Sequence, residues 1–172
     1  MCCECKDSCC KEAKPPLSSH RKRLIKAFLK KQDISIKYPF VEKEYSFPKV
    51  DVEGFCVFYD KATKKCVVHK VKPETCVAGP VTFDINWSTG KVEWFLKTGE
   101  ICIFAPALFQ NPEKFEAHFE VAKEEIGRLI CSLDAQNLLA VLSVEEPQTR
   151  KIGEDMLPKE VAERLEGKIE HK

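Results

Sequence analysis

The chain has 172 residues, 44% of them hydrophobic and 32% charged, with a formal net charge of +1. That length carries one well-buried core, or at most two small ones, and the near-zero charge exerts no global pull toward nucleic acid or an anionic membrane. The longest apolar stretch, around "ICIFAPALF", is far short of the roughly 20 residues a membrane-spanning helix needs.

In chain order, the first feature is "MCCECKDSCCK", which places Cys2, Cys3, Cys5, Cys9 and Cys10 at an end that usually frays. A bound metal or disulfides would order it; otherwise it is a loose tail. Thiols and charges stand where the apolar core of a signal peptide would be, so the expected compartment is the cytoplasm, where thiols stay reduced. Ten cysteines in such a compartment call for something to bind. Cys2 and Cys5 have the spacing at which a tight turn aims two thiolates at one ion, a spacing that redox dithiols share. Cys9 and Cys10 are neighbours, so in extended chain they point to opposite sides and fit two ions or two corners of a cluster. A disulfide between them would be strained.

Leu17, Leu24, Ile25, Phe28 and Leu29 recur at helical spacing among lysines and arginines. Nine Lys or Arg lie between Lys6 and Lys31, whereas the balance turns acidic beyond Asn111. The basic face reads as a solvated surface that also offsets nearby thiolates. It lacks the aromatic platform of a nucleic-acid site, so no nucleic-acid partner is expected. "YPFVEKEYSFPKVDVEG" is proline-broken and aromatic, a connector or edge segment.

"GFCVFYDKATKKCVVHK" reads as a β-hairpin around a lysine-rich loop. With the turn centred on Lys61, Cys56 falls directly opposite Cys66, close enough to share an ion. In "KPETC", Pro73 suits the first turn of a short helix and would fix the direction of Cys76. His69 follows Cys66 by three residues, yet strand alternation puts it on the other face, where surface or supporting hydrogen bonding suits it better. Cys102 and Cys131 stand alone in apolar stretches and read as small core hydrophobes.

"PVTFDINWSTGKVEWFLK" is a second hairpin. A two-residue turn at Thr89-Gly90 sets Trp87 opposite Val92, Ile85 opposite Trp94 and Phe83 opposite Leu96, with both tryptophans in the core. "ICIF" is a candidate further strand. Asn111 as N-cap, Pro112 at the first helical position and Glu113 begin a helix, whose stripe from Phe115 to Leu133 is apolar. Asp134 caps a short second helix through Leu142. The last helix, from about Pro158, sets Val161, Leu165 and Ile169 on one face, either to pack back or to meet a protein partner.

With these residues in view, "CCECKDSCC" followed by "GFCVFYDKATKKCVVHKVKPETC" resembles the YkgJ-like cysteine-cluster family, a zinc- or iron-chelating domain of the CxxCxxCC type. "GPVTFDI" and "SVEEP" look like those of archaeal members. The resemblance covers about the first 80 residues and implies that Cys2, Cys5, Cys9 and Cys10 form the cluster, joined by Cys56, Cys66 and Cys76. Two departures stand out. One extra residue separates the second and third thiols, leaving Cys2, Cys3 and Cys5 competing for two roles, and Lys72 stands where arginine is commoner.

The expectation is thus an α+β fold: a small antiparallel sheet of hairpins, a cysteine-rich N-terminal metal site and packed C-terminal helices. One metal-binding domain would span 1–142, with its cluster in 1–14 and 54–80 and its helical part in 111–142. A linker (143–157) and the C-terminal helix (158–172) would follow. The expected function is metal binding by a thiolate cage, zinc being the default ion and iron or an iron–sulfur cluster the alternative. Asp84, Glu53 and His69 offer a carboxylate or imidazole to a catalytic metal, but nothing singles them out, so no reaction is assigned.

Overall fold

The structure, a computed structural model, describes residues 9–146 and 148–169, with side chains as far as Glu166. The fold is α+β, as expected, and divides into two compact units, Met1–Cys76 and Val77–Lys172.

In the first unit, helix α1 (Ser19–Lys31) begins where the Ser18 hydroxyl accepts the Arg21 N–H. Lys30 and Lys31 occupy its last turn, favourable at the negative end of the helix dipole. Its inward face buries Ile25 and Leu29 beside Leu17, Cys56, Phe58 and Val68, while Leu24 stays largely exposed. Fully burying each large aliphatic or aromatic side chain of this set contributes about 1.5–3 kcal/mol. The aromatic connector forms a small hairpin of β1 (Phe40–Glu42) and β2 (Ser46–Pro48), in register Val41 to Phe47.

The cysteine hairpin is shorter than expected and differently registered. Strand β3 (Tyr59–Asp60) pairs with β4 (Lys65–Cys66), so Tyr59, not Cys56, lies opposite Cys66. Asp60 explains the difference. Its carboxylate accepts from the Ala62 N–H at 3.0 Å and the Thr63 hydroxyl at 2.6 Å, which moves the turn's centre past Lys61. After a single 3-10 turn at His69–Val71 comes α2 (Glu74–Ala78), which carries Cys76.

In the second unit, β5 (Val81–Asn86), β6 (Lys91–Lys97) and β7 (Thr149–Met156) form an antiparallel sheet in the order β5-β6-β7. The β5–β6 register is Ile85 to Val92 and Phe83 to Trp94, two residues from the predicted pairing. A slip of two preserves which side chains share a face, so Ile85, Val92, Trp94 and Leu96 are buried as anticipated, Val81 joins them, and Phe83 is half-buried against the same core. Trp87 is not: it sits in the loop, 40% exposed. There the Asn86 side chain accepts the Ser88 and Thr89 N–H groups and lengthens the turn. "ICIF" forms turns leading into α3 (Ala105–Phe109) rather than a strand.

The third strand of this sheet, β7, comes from the stretch read as linker. Helices α4 (Pro112–Ser132) and α5 (Ala135–Leu142) start at Asn111 and Asp134, whose side chains accept the Lys114 and Asn137 N–H groups. Ala122, Ile126, Leu129, Ile130 and Leu138 join the sheet in one core, with Cys102 and Cys131 partly buried against it. Helix α6 (Lys159–Ile169) packs back, burying Val161 and Leu165 in that core. No described helix is long and apolar enough to cross a membrane.

Candidate metal centre

The site is assembled around Cys56. Just before it, Asp51 accepts the N–H groups of Glu53 and Phe55, both at 2.9 Å. Lys61 grips Asp51 at 2.7 Å and Glu53 at 2.9 Å while lying over the Phe55 ring. Hydrogen bonding from Lys61 holds the Asp51 carboxyl below the usual carboxylate range. Gly54 completes the turn at φ +84°, a conformation that favours glycine.

The cysteine-rich tail docks on this turn through its main chain. Cys56 N–H donates to the Cys10 carbonyl at 2.8 Å, and Glu12 N–H donates to the Gly54 carbonyl at 2.7 Å, making an antiparallel bridge between Lys11 and Phe55. Stretches more than forty residues apart are thus stitched side by side. Gly54 matters here a second time, since a Cβ at that position would sit 3.3 Å from the Glu12 side chain. Cys56 itself bridges to Val50 rather than to Cys66.

The thiols sense one another. Burial pushes the Cys56 thiol up to about 11, and Cys66 and Cys9 add to the shift. The Cys76 thiol is raised further, first by burial and then by Cys9, Cys56 and Cys66, with Lys72 opposing. Cys9, Cys56, Cys66 and Cys76 therefore occupy one electrostatic neighbourhood. Neighbouring Cys9 and Cys10 divide as strand alternation suggests: Cys9 is exposed, and Cys10 packs against the apolar cluster around Ile25 and Phe58.

Close neighbours are not yet a coordination shell. Among the described residues, no group of three or more His, Cys, Asp or Glu side chains is disposed to hold a metal ion. Cys2, Cys3 and Cys5 lie outside the described residues. His69 is exposed; slight desolvation by the chain around it, with the Lys72 charge nearby, lowers its pKa. The donor chemistry is nonetheless specific. Soft sulfur donors with some shielding from water suit zinc, iron or an iron–sulfur cluster and not calcium or magnesium.

Three buried polar residues beside the site carry no sequence signal that marks them as functional. Ser18, Arg21 and Glu74 are all buried in the first unit. The Ser18 hydroxyl donates to Glu74 Oε1 at 2.5 Å, and Arg21 Nε lies 3.7 Å from the same oxygen. "KPETC" is visible in the sequence as a ligand turn, but nothing there marks Ser18 and Arg21 as its partners.

A family model named CxxCxxCC, described as "Putative zinc- or iron-chelating domain", matches residues 1–103. No curated protein and no solved structure shows a significant match to the chain.

Proposed function

The chain belongs to the CxxCxxCC family of zinc- or iron-chelating domains, and on that premise we propose that it binds metal through a thiolate cage. Cys2 (or Cys3), Cys5, Cys9 and Cys10 of the tail join Cys56, Cys66 and Cys76 as the donors. Zinc is the first choice of ion, since an all-cysteine site with no open position serves a structural role. When bound, the ion would cross-link the tail to the Cys56 turn and to α2. The cytoplasm, which keeps thiols reduced, suits such a site.

The observation that carries this reading is the main-chain docking of the cysteine tail on the Cys56 turn, where the Cys56 N–H donates to the Cys10 carbonyl at 2.8 Å and the Glu12 N–H to the Gly54 carbonyl at 2.7 Å. The mutual influence of Cys9, Cys56, Cys66 and Cys76 agrees with it. Sulfurs that raise one another's pKa repel as thiolates, and a cation converts that repulsion into binding. An iron–sulfur centre is the second reading, favoured by a set of eight candidate thiols where one tetrahedral ion uses four.

Anaerobic purification, metal analysis and a visible spectrum test both. A colourless protein with stoichiometric zinc supports the first reading, and a brown one containing iron and sulfide supports the second. Cys9→Ser and Cys76→Ser are expected to lose metal, whereas Cys131→Ser in the second unit retains it. Equal loss in all three, or a wild-type protein that takes up neither metal, overturns the cage.

A further inference from the structure

Building on the thiolate-cage reading, we propose that Glu74 is a positioning residue for the metal centre. It clamps the first turn of α2 to the N-terminus of α1 and thereby fixes the placement of Cys76. Glu74 is only 2% exposed and Ser18 only 3%, although carboxylates are almost never buried so deeply without partners. One hydroxyl does two jobs: Ser18 accepts the Arg21 N–H at 3.0 Å, starting α1, and donates to Glu74 Oε1 at 2.5 Å. The carboxylate is thereby held at the positive end of the α1 dipole, with Arg21 Nε 3.7 Å away.

The other carboxylate oxygen, Oε2, is buried without a hydrogen-bond partner among the described residues. A buried ion pair left partly unsatisfied is a poor source of stability, and well-packed apolar residues often serve as well or better. What it supplies is geometry. Residues two apart on a helix do not share a face, so the carboxylate acts on Cys76 through the backbone and not by touching its sulfur. The connection is short and stiff. Pro73, buried just before Glu74, restricts the entry to α2, and only Thr75 separates the clamp from Cys76.

The test is zinc affinity of the full chain, measured by competition with a chromophoric chelator, together with the ligand-field spectrum of the cobalt-loaded protein. Glu74→Ala is expected to weaken zinc about 10- to 100-fold, the usual effect of removing a group that orients a ligand, and to alter the cobalt bands. Glu74→Gln, whose amide oxygen still accepts from Ser18, restores most of the affinity. Ile25→Val trims the same core without touching the clamp and leaves affinity and spectrum unchanged. Should Glu74→Ala fail to fold, Ser18→Ala withdraws the donor from Oε1 and is expected to weaken zinc several-fold. Wild-type affinity in Glu74→Ala and Ser18→Ala, or an equal loss in Ile25→Val, overturns the positioning role while the cage stands. A wild-type chain that binds neither zinc nor cobalt overturns the role and the cage together.

Discussion

At Gly54 two independent constraints coincide. Its φ of +84° lies where a side chain is strained, and the space a Cβ would occupy is already tight against Glu12. Gly54→Ala is therefore expected to destabilise the first unit by about 1–2 kcal/mol from backbone strain alone. It should also loosen the tail, because the Gly54 carbonyl and the Cys56 N–H are the groups on which that segment docks. Urea unfolding and amide exchange at Cys56 and Glu12 measure the two effects. Wild-type values in both would mean that the turn does not need a glycine. Part of the reason for a glycine here lies in Glu12, over forty positions away, which local spacing cannot reveal.

Element starts were more legible than element partners, and the cause is the range of the interactions involved. A helix cap is read within four residues: Asn111 followed by Pro112, and Asp134 ahead of Ala135, announce α4 and α5 directly. Asn111→Ala accordingly should cost about 1 kcal/mol, read as a lowered melting temperature of the second unit; an unchanged value would show that the cap is redundant. Hairpin register failed for a related reason. Asp60 and Asn86 each turn back on the main chain two or three residues later and move the turn by enough to re-pair the arms. The facing pattern of β5 and β6 survived because the slip was even. Strand β7 was invisible as a strand, since it is mostly exposed and rich in Lys, Arg, Glu and Asp, as edge strands tend to be. Its charges are engaged across the sheet: Lys151 reaches Glu93 at 2.7 Å, and Lys151 and Lys91 together hold the Glu154 carboxyl down to about 2.

At the scale of the whole chain, charge is segregated in a way the net value of +1 hides. Residues 1–76 carry seventeen Lys or Arg against ten Asp or Glu, a balance of +7; residues 77–172 carry eleven against seventeen, a balance of −6. The cysteines proposed as ligands all belong to the basic part, where cations favour thiolate over thiol. Burial opposes that effect and wins at Cys56 and Cys76, both of which are raised.

The consequence is a pH dependence that reverses with metal. In the metal-free chain, a thiol whose folded pKa exceeds its unfolded one stabilises the fold at neutral pH. That contribution fades as pH climbs from about 8.5, the ordinary cysteine value, through about 11 for Cys56. The loss is on the order of 3 kcal/mol for a shift of this size. Zinc-loaded protein is expected to resist this alkaline loss, because its sulfurs are already thiolates. It should weaken instead toward acid pH as protons compete for the ligands, releasing metal. Urea midpoints collected from pH 5 to 10.5, with and without zinc, and repeated on Cys56→Ala to remove background titration, measure both arms. A metal-free midpoint with the same alkaline slope in wild type and Cys56→Ala would deny the buried thiol. Identical profiles with and without zinc would deny that these sulfurs hold the ion.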